Sequence, residues 1–264
     1  MAKTRLDVLL VNRGLFETRS RAQAEIMAGN VLVNEVKFDK PGTPVKEDVT
    51  IRILGSKIPY VSRGGLKLEK ALKVFPVTVQ DKVVADIGAS TGGFTDCALQ
   101  NGAKKVYAVD VGYGQLAWKL RTDERVVNLE RTNVRFLKPE DLGELVDCAT
   151  IDVAFISLAL VLPPVLGVVK DDGFVVALIK PQFEAGKENV GKNGVVKDAA
   201  IHKEVISRVI GQAKEFGFTI SGLDFSPIKG PEGNIEYLLL LTKQGEDQVD
   251  AERIDKVVEE SHKI

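Results

Sequence analysis

Between residues 82 and 180, short apolar runs rich in β-branched residues return at intervals: KVVADIG (82–88), KVYAVDV (105–111), RVVNLE (125–130), DCATIDVAF (147–155) and GFVVALIK (173–180). Runs this apolar mark strands buried within a parallel sheet, and parallel neighbours need crossover segments between them. The intervening stretches 94–101, 114–121 and 158–169, and 199–216 after the fifth run, have helix length. Two more runs, FTISGLDF (218–225) and EYLLLLT (236–242), bring the expected number of strands to about seven. This alternation predicts an α/β, Rossmann-like, doubly wound sheet.

The first 57 residues follow another rhythm. Leu6, Leu9 and Leu10 fall at helical spacing within 5–13, and Gly14 is placed to stop that helix. Ser20-Arg21-Ala22-Gln23 has capping-box form and predicts a second helix closed by Gly29. VLVNEVKF (31–38) and VTIRIL (49–54) read as strands around the turn-rich KPGTP (40–44). The result is a small α+β domain over 1–57, a linker at 58–64 and a large domain over 65–245. Residues 246–264 are acidic, yet Ile254, Val257 and Val258 keep helical spacing, which predicts a peripheral helix or a tail.

Charge divides near the same boundary. Residues 1–73 carry 14 Lys and Arg against 8 Asp and Glu, a net +6, whereas the rest carries 22 against 29, a net −7. A basic front on an acidic body suggests a polyanion-facing segment joined to something else. Arg5, Arg19 and Arg21 stand at its helix starts, where a guanidinium fork suits phosphate. The chain lacks the ~18–20 uninterrupted apolar residues of a membrane-spanning helix. Arg5, Asp7 and Arg13 also break any signal-peptide core. Two cysteines, Cys97 and Cys148, make no disulfide scaffold, and with two histidines, His202 and His262, no Cys/His zinc cage assembles. The cysteines read as packing residues and the histidines as surface residues. The chain reads as cytoplasmic, with neither membrane nor metal as a partner.

The first strand of the large domain runs into Asp86-Ile87-Gly88-Ala89-Ser90-Thr91-Gly92-Gly93-Phe94. A glycine-rich turn between strand and helix lets the backbone approach a ligand at the helix N-terminus. Its spacing is not G-x-G-x-x-G, and no Lys-Ser/Thr follows as in a P-loop. Asp110 ends the second strand 22 residues after Gly88, where a carboxylate hydrogen-bonds a ribose diol. A ribose acid without a pyrophosphate fingerprint points to a nucleoside lacking phosphates, S-adenosylmethionine, with Asn133 beyond the third strand as the adenine contact. Asp152 and Lys180 end the fourth and fifth strands, on the edge where open α/β sheets bind ligands. A lysine ending so apolar a strand is costly to bury unpaired. Phe183 is placed for packing or for stacking on an unstacked base. Lys67 follows the linker and Glu236 opens the last strand, and the residues alone do not bring these two together.

Ordered motifs over nearly the whole chain carry a resemblance. RLDVLLVNRGLFETRSRAQAEIMAGNVLVN is similar to the S-four RNA-binding module first seen in a small-subunit ribosomal protein. SRGGLKL, DIGASTGGFTDCAL, DVGYGQLAWKLR, RTNVR, TIDVAFISL, LIKPQFE and NIEYLLLL together resemble the TlyA, or haemolysin A-like, family. The resemblance implies an enzyme that methylates the ribose 2′-hydroxyl of cytidine in ribosomal RNA, through an FtsJ-type catalytic domain. It also implies a Lys-Asp-Lys-Glu tetrad, carried over to Lys67, Asp152, Lys180 and Glu236. With that tetrad, Lys180 would accept or stabilise the hydroxyl proton; separately, the short linker, with Arg63 beside Gly64-Gly65, is read as coupling RNA docking to the catalytic domain. One departure is Asn34-Glu35 in place of the module's usual Asn-Gly, which makes the turn and nearby RNA contacts differ. The rival readings are a membrane-lytic protein, a ribosome-binding assembly factor with an inactive fold, and another S-four enzyme such as a pseudouridine synthase. The missing spanning segment, the four intact charged residues and the glycine turn with Asp110 count against them in that order.

Overall fold

The structure, a computed structural model, describes residues 3–16, 18–54 and 58–263. The end of the expected first domain, at 55–57, lies outside the described residues. The chain divides into two compact units, Met1–Lys57 and Ile58–Ile264.

The first unit opens with β1 (Lys3–Arg5), paired antiparallel with β4 (Pro44–Lys46). Helix α1 (Leu6–Asn12) buries Leu6, Leu9 and Leu10 in a core shared with Ala22 and Ile26 of α2 (Arg19–Met27). The cap of α2 is Thr18, not Ser20: its hydroxyl accepts from the Arg21 amide at 3.3 Å. The helix starts ahead of the expected box, and Ser20 inside the first turn has no free end to cap. The expected strand 31–38 is a hairpin, β2 (Val31–Val33) and β3 (Val36–Phe38), with β2 also pairing antiparallel to β5 (Ile51–Ile53). Asn34 and Glu35 turn it at φ +50° and +65°, the two left-handed residues that a tight I′ turn demands. Glu35 sits there without glycine's freedom, held by an ion pair to Arg52, while Asn34 Oδ1 accepts from Thr50 N at 2.9 Å.

The second unit is built on a seven-stranded sheet in the order β11-β12-β10-β9-β6-β7-β8. The strands are β6 (Val83–Ile87), β7 (Lys105–Val109), β8 (Val126–Leu129), β9 (Val146–Ile151), β10 (Val169–Ile179), β11 (Thr219–Phe225) and β12 (Tyr237–Thr242). From β8 to β10 neighbours run parallel, and β12 runs antiparallel to both β10 and β11. Successive residues serve opposite faces: Ala85, Ile87, Ala149, Ile151 and Tyr237 enter one core, Val84, Cys148, Val176 and Leu238 the other. Helices α3 (Gly65–Val74), α4 (Gly93–Gln100) and α5 (Trp118–Arg121) cover the second core. On the first core lie α6 (Pro139–Leu142), α7 (Leu162–Val168), α9 (Ala199–Glu215) and α10 (Ala251–Ser261), while the short α8 (Pro181–Glu184) follows β10.

Four local outcomes differ from or sharpen the sequence reading. The stretch 158–169 is a 3-10 turn (Leu158–Leu160) followed by α7, whose first turn holds Pro163 and Pro164 where no donor is missed. The expected helix 114–121 shrinks to α5. Residues 246–264 do form a helix, with Ile254, Val257 and Val258 buried. His202 is fully buried rather than on the surface: on α9 it shares the inward face of Val205, Ile206 and Val209. Its Nδ1 lies 2.6 Å from Tyr237 Oη and its Nε2 3.0 Å from the Val196 carbonyl. Among the described residues no helix is long and apolar enough to cross a membrane.

Candidate active site

The parallel strands all end on one edge, and β12, running the other way, begins there. Ile179 of β10 stands opposite Tyr237 of β12, so the next residue of one and the preceding residue of the other, Lys180 and Glu236, share that edge. Asp152 leaves β9 beside them, and Lys67 reaches in from the first turn of α3. These four side chains form a row of alternating charge. Lys67 Nζ is 2.6 Å from Glu236 Oε2 and 3.2 Å from Asp152 Oδ2, and Asp152 Oδ1 is 2.5 Å from Lys180 Nζ. Burial pushes the Lys67 ammonium toward the neutral form, but Asp152 and Glu236 outweigh it and hold its pKa above the usual value. Burial likewise pushes Asp152 up, and the two ammonium groups prevail, holding it below the carboxylate range. Lys67 is thus tied to two carboxylates and Lys180 to one.

Lys67 is reached through close backbone contact. A Cβ on Gly65 would lie 2.4 Å from the Tyr60 ring, and one on Gly93 would lie 2.3 Å from Ser62 Oγ and 2.9 Å from the Gly65 amide nitrogen. The glycine pairs let the starts of α3 and α4 meet, which presents Lys67 to the strand ends.

Next to the row lies an open cleft of about 720 Å³, lined by Gly88, Ser90, Asp110, Asn133, Asp152 and Phe155 among others. Gly88, at φ +84°, brings the turn so near β9 that a Cβ would sit 2.7 Å from the Asp152 carbonyl oxygen. Asp110 is held by two backbone amides, Ser90 N on Oδ2 and Gly112 N on Oδ1, both at 2.7 Å. Asn133 Oδ1 caps a 3-10 turn by accepting from Arg135 N at 3.1 Å. The remaining residues of the glycine motif shape the turn from behind. Asp86 is buried and accepts from Thr95 Oγ1 at 2.6 Å and Thr150 Oγ1 at 3.2 Å. Ala89 and Phe94 are core residues, the Thr91 carbonyl accepts from Ala117 N, and Gly92, at φ +94°, leaves room for Leu120. Gly88, the amide-held Asp110 and the open cleft fit a nucleoside: backbone can approach the ligand, and the aspartate keeps lone pairs for a diol.

Phe183 stands on α8 with its ring centroid 5.0 Å from that of Phe155. Phe155, which sequence reasoning passed over, is 91% exposed at φ +62°. The signal in TIDVAF is an aromatic just past a strand end, which does not by itself distinguish a buried ring from an exposed one. Cys97 and Cys148 are buried in the second core, where burial pushes both thiols up to about 12.

In the first unit, the guanidinium groups of Arg5 and Arg19 converge on one buried carboxylate that sequence reasoning also missed. Asp7 accepts from Arg5 Nε and Nη2, both at 3.1 Å, from Arg19 Nη2 at 3.0 Å and from Gln23 Nε2 at 2.7 Å. Both arginines remain about half exposed at 52% and 54%. Arg21 and, in the second unit, Arg63 are exposed.

A doubly wound sheet with a glycine turn, an aspartate held by two backbone amides and a charged row at its strand ends has the make-up of a nucleoside-dependent transferase. The chain belongs to the FtsJ-like methyltransferase family, whose sequence model matches residues 60–243, and carries an S4 domain, matched over residues 4–51. It is similar to YqxC of Bacillus subtilis (strain 168), provisionally named an rRNA methyltransferase, at 56% identity over 99% of this chain and 95% of that protein. It is 44% identical to the 16S/23S rRNA (cytidine-2'-O)-methyltransferase TlyA of Mycobacterium tuberculosis (strain ATCC 25618 / H37Rv), over 97% of this chain and 96% of that one. A solved Streptococcus thermophilus structure, provisionally named a haemolysin, superposes with a TM-score of 0.80 at 51% identity, covering 100% of this chain and 97% of that one. The protein is an S-adenosylmethionine-dependent methyltransferase.

Proposed function

We propose that this protein methylates the ribose 2′-hydroxyl of cytidine in ribosomal RNA, acting on ribosomal subunits in the cytoplasm. The observation that carries the reading is the Glu236–Lys67–Asp152–Lys180 row beside the nucleoside cleft. The TlyA relative named for that nucleoside, and the S4 domain, support the choice of substrate.

S-adenosylmethionine supplies an electrophilic methyl group together with its own leaving group. Gly88, Ser90 and Asp110 would hold its nucleoside, Asp110 through the ribose diol, with Asn133 serving the adenine. The hydroxyl is a poor nucleophile and needs positioning and a place for its proton. Lys180 Nζ, ion-paired with Asp152, donates to the hydroxyl oxygen and stabilises the negative charge that develops there as its proton passes to water. Asp152 aims Lys180, and Lys67, held charged by two carboxylates, keeps Asp152 ionised and in register. Glu236 anchors Lys67 from the far side. Phe155 and Phe183 give the target base a stacking surface. Arg5, Arg19 and Arg21 grip phosphates, and Arg63 couples RNA docking to catalysis.

The test is transfer of labelled methyl to unmodified 30S and 50S subunits, with nucleoside mass spectrometry of the product. The expected product is 2′-O-methylcytidine, and Lys180→Ala should lower its formation about a hundredfold or more while cofactor affinity stays unchanged. No transfer to either subunit, with cofactor binding intact, would favour the assembly-factor reading instead.

A further inference from the structure

Glu184 ends α8, four residues after Lys180, and its partly buried carboxylate reaches the loop that follows β9. Oε2 accepts from Ser157 Oγ at 2.8 Å and Oε1 from the Leu158 amide at 2.7 Å. Ser157 Oγ in turn accepts from Ala159 N at 3.2 Å, capping the 3-10 turn. One side chain therefore ties the segment after Lys180 to the segment after Asp152. Phe155 belongs to the tied loop, and its contact with Phe183 spans the same two segments.

Phe155 needs such a tie. Its backbone is left-handed, which is costly for a residue with a Cβ, and its ring is too exposed to offset that cost by burial. The strain persists only if the surroundings fix the loop. A carboxylate accepting one hydroxyl and one backbone amide supplies a charge-assisted clamp of the required kind. Arg208 steadies α8 from behind, its Nη2 donating to the Glu184 carbonyl.

We infer that Glu184 is a positioning residue, which holds the 153–158 loop so that Phe155 stands ready at the cleft for the base of the nucleotide being methylated. This rests on the reading that an RNA nucleotide enters the cleft. Glu184→Gln preserves the shape but weakens the clamp, and Ser157→Ala removes one of its donors from the other side. Each should raise KM for ribosomal subunits and lower kcat, together costing about tenfold in kcat/KM, with the dissociation constant for S-adenosylmethionine unchanged. In a Phe155→Ala background, Glu184→Gln should add less than about twofold, because the residue acts through that ring. An equal loss in both backgrounds, or unchanged kinetics of both single variants, overturns the assignment. A second readout needs no RNA. With the single tryptophan moved by Trp118→Phe and Phe155→Trp, Glu184→Gln should lower the fluorescence anisotropy of the residue at 155. Unaltered anisotropy overturns the clamp whatever the substrate. Lower anisotropy in a protein that methylates neither subunit supports the clamp and sinks the substrate reading alone.

Discussion

Asp86 is a carboxylate held in place by hydroxyls, with no ammonium group bonded to it among the described residues. Burial pushes its carboxyl up to about 6, Thr95 and Thr150 hold it back, and the charge of Asp152 adds to the rise. Between about pH 4 and pH 6 the folded chain therefore keeps a proton that the unfolded chain has released. The contribution of this group to stability is fullest at low pH and declines as pH rises through that window. Asp86→Asn has no such titration, so relative to wild type it should gain about 3 kcal/mol between pH 4 and pH 7. Denaturant unfolding of both proteins at the two pH values measures it, and a constant difference would show that Asp86 ionises freely in the fold. Asp7 has the opposite sign. The Arg5 guanidinium, with Gln23 and Arg19, holds its carboxyl well below the usual range against the effect of burial. Its stabilisation is present above about pH 4 and is lost as acid protonates it.

Among the elements, α10 has the most telling attachment. Its Ser261 Oγ lies 3.1 Å from Tyr237 Oη, which meets His202, while the His262 ring lies 4.9 Å from the ring of His202, tilted 56° to it. Burial lowers the pKa of His202, and His262 lowers it further, against the Val196 carbonyl and Asp198. A histidine depressed in the fold supports it above the unfolded value of about 6.5, and that support is lost as pH falls. Amide exchange in α10, corrected for intrinsic rates, should quicken severalfold from pH 7.5 to pH 5.5, and His202→Gln should blunt the change. Protection that does not vary with pH would count against the coupling. The helical spacing of His202 with Val205, Ile206 and Val209 was visible in the sequence, and reading histidine as polar hid it. The strands were legible because apolar β-branched runs leave few alternatives. Helix α3 was not, because a glycine pair at the end of the linker gives no helix signal until Tyr60 and Ser62 are seen to need the space at Gly65 and Gly93. In the site, Asp152 and Lys180 followed from strand ends, whereas Lys67 and Glu236 depend on pairings across 85 and 169 residues that no local pattern encodes. Phe155 and Glu184 escaped because exposure and a side-chain clamp are tertiary facts.

At the scale of the whole molecule, charge separates along the chain, with a net +6 in residues 1–73 and −7 in the rest. Half of that +6 lies in the first unit, where residues 1–57 carry 10 Lys and Arg against 7 Asp and Glu, so affinity for RNA should draw on both units and weaken steeply with salt. Arg5→Ala with Arg19→Ala should lower the slope of log K against log salt by about 0.7–0.9 for each phosphate no longer neutralised, leaving cofactor affinity alone. An unchanged slope would remove those two arginines from the interface. The sheet order carries one more consequence. Strand β11 is made before β12 yet lies outside it, bonded to the sheet through β12 alone. During synthesis the S4 domain and six strands leave the ribosome while the edge of β10 stays open, β11 waits without a partner and the row of charges lacks Glu236. If the row works as proposed, competence for methyl transfer arrives with the last strand, and a chain stalled before residue 236 would present the S4 domain without a working enzyme behind it.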